Sequence, residues 1–199
     1  MGSIAGEAVS TKLTKLLQSG LKVFTLDDLG IIWGQRTRSD TRQSARDYAA
    51  QGDLIRLKPG VYTIPNQNPN VHAVANKLLA PSYVTGLSVL TKEGLSFQYT
   101  NRVFSVARYH KSYEIDDKIF VYSQVKASVL YNPLGLDGAA KVAIAGKERA
   151  ITDLIYLNKG HYPFESFERI DWDLLEACAN IYNCIFVPKT VSQLKEQYA

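Results

Sequence analysis

The chain has 199 residues, 46% of them hydrophobic, and a formal charge of +4 from 23 Lys/Arg against 19 Asp/Glu. That suffices for one or two domains and is too apolar for a disordered chain, and no run reaches the roughly 18 to 20 apolar residues of a membrane span. The sequence opens with neither a charged nor an apolar leader region, so a cytoplasmic location is expected.

The charge is unevenly spread. Residues 1–70 carry nine Lys/Arg against six Asp/Glu, and residues 71–199 carry fourteen against thirteen. A polyanionic partner is therefore sought in the first third.

Val9, Leu13, Leu16 and Leu17 describe a first amphipathic helix ending near Gly20. Thr25 then fits the N-cap of a shorter helix, with Asp28 at the third helical position. A third helix is expected from Asp40 as N-cap, with Gln43 completing a capping box and Gly52 as the left-handed residue that ends it. Thr41, Ala45, Tyr48 and Ala49 recur at core spacing, whereas Arg42, Gln43 and Arg46 fall on the other side, with Arg38 just ahead. Such a face suits the major groove, where Arg pairs bidentately with guanine and Gln with adenine. A solvated face, with Asp47 paired to Arg46, is the competing reading.

Two β-prone runs follow, residues 54–57 and 61–64, separated by Lys58-Pro59-Gly60. Pro-Gly favours a type II turn, whose twist suits a tight hairpin poorly, so a longer or bulged loop is expected with Lys58 at its tip. A helix followed at once by a hairpin is the order of a winged helix-turn-helix. Residues 1–66 are thus expected to bind double-stranded DNA through Arg36, Arg38, Thr41, Arg42, Gln43, Arg46, Arg56 and Lys58.

Asn66-Gln67-Asn68-Pro69-Asn70 reads as a linker. Beyond it, residues 71–199 pattern as an α+β domain. Helices are expected at 71–79, 83–93, 147–157, 171–180 and 190–198, and strands at 102–108, 119–125, 128–131 and 141–144. The fold class is α+β, a winged helix-turn-helix followed by a larger domain whose small, mostly antiparallel sheet is covered by helices. In the helix from Lys147, Ala150, Ile151, Leu154 and Ile155 form the apolar stripe and Arg149 and Asp153 read as an outer pair.

Catalytic patterns are missing. His72, His110 and His161 lack metal-ligand spacing, and Gly146-Lys147 lacks the rest of a phosphate loop. Ser88 lacks the second glycine of a nucleophile elbow, and Asp116-Asp117 and Asp171/Asp173 sit where turns and caps explain them. Cys178 and Cys184 read as buried thiols. No enzyme, cofactor or metal is expected, and a nuclease assembled from distant residues is the dissenting hypothesis.

Three stretches resemble the AbiEi-type antitoxins of type IV toxin-antitoxin systems. Gly52-Asp53-Leu54-Ile55-Arg56-Leu57-Lys58-Pro59-Gly60-Val61-Tyr62 is similar to that family's GxLxRxxxGxY pattern. Tyr83-Val84-Thr85-Gly86-Leu87-Ser88-Val89-Leu90, running to Gly94-Leu95, resembles its small-residue helix entering a Gly-Leu corner. Lys147-Glu148-Arg149-Ala150-Ile151-Thr152-Asp153-Leu154-Ile155-Tyr156-Leu157 resembles its ERAxxDLxYL helix. The correspondence runs from about residue 25 to 157. The resemblance implies an N-terminal domain that binds double-stranded operator DNA and represses its own operon, and a C-terminal domain that counters a nucleotidyltransferase-like toxin without a stable complex. A protein-binding winged helix and a plain regulator without a toxin are the alternatives.

Overall fold

A computed structural model of the chain describes residues 11–137 and 142–199. The chain divides into two units, Met1–Asn70 and Val71–Ala199, and is α+β in both. Among the described residues no helix is long and apolar enough to cross a membrane.

The described part of the first unit runs α1 (Lys12–Gln18), β1 (Val23–Thr25), α2 (Leu26–Trp33), α3 (Arg38–Ala50), β2 (Ile55–Lys58) and β3 (Val61–Thr63). Val9 lies outside the described residues; in α1 Leu16 is buried while Leu17 is half exposed. The α2 start has Thr25 as N-cap and Asp28 at the third helical position, as expected, and the two close a capping box: the Asp28 amide donates to Thr25 Oγ1 and the Thr25 amide to Asp28 Oδ2. The three residues before it, Val23–Thr25, form a strand that their pattern does not predict. β1 pairs antiparallel with β3, placing β3 centrally in the order β1-β3-β2. Thr63 Oγ1 closes this arrangement by donating to the Lys22 carbonyl at 2.7 Å.

The start of α3 differs from expectation by one turn. Thr37, not Asp40, is the N-cap, its side chain accepting from the Asp40 amide, so Arg38 is the first helical residue. The helix ends as expected: the Gly52 and Asp53 amides donate to the Ala49 and Tyr48 carbonyls, closing the last turn. The β2–β3 pairing slips between Arg56 and Lys58, and Gly60 turns the chain at φ +84°. That is the bulge the Pro-Gly turn calls for. Leu16, Phe24, Leu29, Trp33, Ala45 and Tyr62 make the core.

In the second unit, α4 (Val71–Leu78) leads to β4 (Ser82–Val84), α5 (Leu87–Leu90), β5 (Arg102–Ala107), β6 (Lys111–Ile115) and β7 (Lys118–Gln124). Then come α6 (Ala127–Leu130), α7 (Lys147–Leu157), α8 (Trp172–Ala179) and α9 (Phe186–Tyr198). The sheet order is β4-β5-β7-β6; the outer pairs are antiparallel as expected, but the central pair, β5 and β7, is parallel. The chain leaves β5, crosses to the far edge as β6 and returns between them.

Three expectations fail here. Residues 83–93 are not one helix, because the Val84 amide and carbonyl are engaged sideways, by the Ala143 carbonyl and the Ala145 amide. Residues 128–131 fall in and just after α6, where Val129 and Leu130 are buried. Of the 141–144 strand, Lys141 lies outside the described residues and Ile144 forms only an isolated bridge to Val84.

The largest correction concerns α7. Arg149 and Asp153 are fully buried, at 0% exposure, rather than a surface pair. Asp153 accepts from Thr85 Oγ1 at 2.6 Å, Tyr182 OH at 2.6 Å and Tyr83 OH at 3.1 Å. Arg149 donates to the Val129 carbonyl at 2.7 Å, the Leu134 carbonyl at 2.8 Å and Tyr83 OH at 3.0 Å. The two charges stand 3.8 Å apart. Burial pushes the Asp153 carboxyl above the usual range, opposed by Arg149 and by those hydroxyls. Gly135 at φ +71° leaves room for this, since a Cβ there would meet Cys178 Sγ at 2.7 Å and Arg149 Cβ at 2.9 Å. Burial raises the Cys178 thiol to about 11, which leaves it unreactive at neutral pH.

Removing Asp153 strands a buried guanidinium and three hydroxyls. Asp153→Ala is expected to lower stability by about 3–5 kcal/mol, against about 1–3 kcal/mol for Tyr83→Phe, both read from urea unfolding.

Candidate nucleic-acid interface

The first unit holds α3 by side chains that are polar but committed. Ser44 Oγ accepts from Lys12 Nζ at 2.6 Å and from Gln35 Nε2 at 2.7 Å, tying α3 to α1 and to the turn before it. Trp33 packs its ring 5.7 Å from that of Tyr48, and its indole N–H donates to the Lys12 carbonyl. A paired, buried indole favours one placement of α3 over sliding along α2.

Thr41 belongs to this packed side. It is 2% exposed, and its hydroxyl donates to the Thr37 carbonyl at 3.0 Å. At Gly30 of α2 a Cβ would stand 3.2 Å from Thr41 Oγ1. Thr41 therefore leaves the candidate contact set: it sits where the two helices meet.

With α3 starting at Arg38, its arginines acquire a spacing. Arg38, Arg42 and Arg46 lie four residues apart, one stripe about 12 Å long at 1.5 Å rise per residue. The β2–β3 hairpin faces the stripe with Arg56. These four arginines, with Leu26 and Tyr62, line one concavity of about 360 Å³ that contains no Asp or Glu. Arg38 pairs with Asp27 of α2 at 3.1 Å with both groups well exposed, an ion pair of small worth in water. Among the described residues, Arg42, Arg46 and Arg56 have no carboxylate within ion-pair distance.

The remaining expected contacts are not brought together there. Gln43 is exposed on the stripe that carries Asp40 and Asp47, and its Nε2 donates to Asp47 Oδ1 at 2.8 Å. Arg36 is exposed in the α2–α3 turn and lines a neighbouring depression with Gln35 and Thr37. Lys58 is half-buried at the end of β2, while Pro59 and Gly60 form the hairpin tip. The signal available in sequence was the four-residue spacing of Arg38, Arg42 and Arg46, which a helix starting at Asp40 would not have held on one face.

Chemically, convergent guanidinium groups without counter-charge hold phosphate oxygens by charge-assisted, often bidentate hydrogen bonds. Among the described residues no group of His, Cys, Asp or Glu is placed to hold a metal ion. The Thr37 cap fixes where the stripe begins, so Thr37→Ala is expected to lower stability by about 1 kcal/mol, measured by thermal or urea unfolding.

The chain matches no protein-family model, and no curated protein matches it.

Proposed function

We propose that the first unit is a winged helix-turn-helix that binds duplex DNA, with α3 presented to the major groove and the β2–β3 hairpin as the wing. The protein then acts as a DNA-binding transcriptional regulator. The observation that carries this reading is the convergence of Arg38, Arg42, Arg46 and Arg56, from helix and hairpin, on one carboxylate-free concavity. The element order helix, strand, helix, helix, strand, strand, with the first strand beside the last, supports it.

The three stretches that resemble AbiEi-type antitoxins carry the proposal one step further. The regulator would repress its own operon and counter a nucleotidyltransferase-like toxin encoded beside it. That part rests on the resemblance and is tested separately, by co-expression with the adjacent reading frame. Growth rescue by the full chain supports it, and arrest regardless of the chain removes it.

DNA binding is tested by electrophoretic shift and fluorescence anisotropy on the DNA upstream of the reading frame. Arg56→Ala is expected to weaken binding to all sequences alike and to reduce the slope of log affinity against log salt by about 0.9, one phosphate contact. Arg42→Ala or Arg46→Ala is expected to cost about 1–3 kcal/mol and to relax sequence preference if that side chain reads a base. Thr41→Val should leave affinity unchanged. Binding indifferent to all three arginine substitutions sinks the proposal.

A further inference from the structure

A second concavity, of about 410 Å³, lies within the C-terminal unit between α4, α5 and the starts of β5 and β7. Its size falls in the usual range for small-molecule sites. Leu87 and Val103 give it apolar walls, Lys92, Arg102 and Lys118 stand around it, and no Asp or Glu lines it. The three cations come from separate stretches of chain, so the solvated face of a single helix does not account for them. Concentrating like charge around a depression raises the local potential and favours an anion there. His72 also lines it, and burial, then Lys92, hold its imidazole below the ordinary range, which leaves it neutral at pH 7.

An aromatic ring stands at the same place. Tyr99 is 97% exposed and lines the concavity. Its loop is pinned on both sides. The Glu165 carboxylate accepts from the Phe97 amide at 2.7 Å, Gln98 Nε2 at 3.0 Å and Ser96 Oγ at 3.2 Å. Asn101 Nδ2 donates to the Asp117 carbonyl at 2.9 Å. A loop fastened in this way holds its ring in water although burial would favour it. A presented aromatic beside a cationic depression is the arrangement that stacks a base while holding its phosphate. Ser88 adds a donor: its oxygen accepts from the Phe104 amide at 2.8 Å, leaving the hydroxyl hydrogen for a ligand.

We propose that this concavity binds a nucleotide unit, its phosphate among Lys92, Arg102 and Lys118 and its base against the Tyr99 ring. The base must lie outside a duplex to reach the ring, so this site and the α3 face take different forms of nucleic acid. A free nucleotide and a single strand share the chemistry.

The test uses the full chain carrying Arg42→Ala and Arg46→Ala, which disables the proposed duplex contact, so that the two proposals fail independently. Fluorescence anisotropy is recorded at low salt with a labelled oligothymidylate and with a labelled adenosine triphosphate. At least one probe is expected to bind, about ten-fold more weakly after Tyr99→Ala and at parental affinity after Tyr99→Phe. The Lys92→Ala/Arg102→Ala pair should weaken it at least as much. Binding of the triphosphate assigns a free nucleotide, and binding of the oligomer alone assigns a strand. The substituted side chains are exposed, and circular dichroism should show parental melting. Absence of binding by both probes, or binding unchanged by Tyr99→Ala and by the lysine-arginine pair, overturns the proposal.

Discussion

A guanidinium and a carboxylate removed from water must be matched atom by atom, and that requirement governs the C-terminal unit. Arg149 and Asp153 share one helix, yet their partners come from β4 and the residue after it, from α6, from the segment before residue 137 and from the turn after α8. No single element can supply that set. The buried pair therefore specifies which segments must come together around α7, whereas apolar residues such as Ile151 and Ile155 tolerate rearrangement more readily. Such a pair adds less net stability than its Coulomb energy suggests, since desolvation offsets most of it. Its effect here is on uniqueness: alternative packings of α7 leave a charge or a hydroxyl unmatched.

The N-terminal unit solves the opposite problem. Its arginines stay in water, on backbone that is fixed beneath them. The Thr37 cap, the Ser44 bonds and the bulge in β2 fix that backbone locally. Each sets where an arginine leaves the backbone without touching its guanidinium.

What was legible in the sequence was local. The α2 cap at Thr25 and its acidic third position involve residues three apart, and the α7 range is written in its own apolar period, so both were readable. Asp40 misled because Thr37-x-x-Asp40 and Asp40-x-x-Gln43 are overlapping cap frames; the earlier one prevails because it adds a turn that packs Thr41 against Gly30. Residues 128–131 are too few for period to separate strand from helix. β6, Lys-Ser-Tyr-Glu-Ile, is an edge strand, polar enough to pass for a loop. Arg149 and Asp153 carry the spacing of an ordinary surface pair, and nothing nearby in the chain reports the tyrosines that enclose them. Arg56 joins the α3 stripe only through the hairpin, and Lys92, Arg102 and Lys118 share no motif at all.

The carboxylate-free concavity on the first unit also bears on how that unit responds to its surroundings. Mutual repulsion among Arg42, Arg46 and Arg56 is carried by the folded state and is strongest where salt is dilute. A polyanion held among them would relieve it and, to the extent that it bound the folded form in preference to the unfolded one, would shift the folding equilibrium. The persistence of the N-terminal unit would then depend on the anions around it, greater in their company and least where salt is dilute.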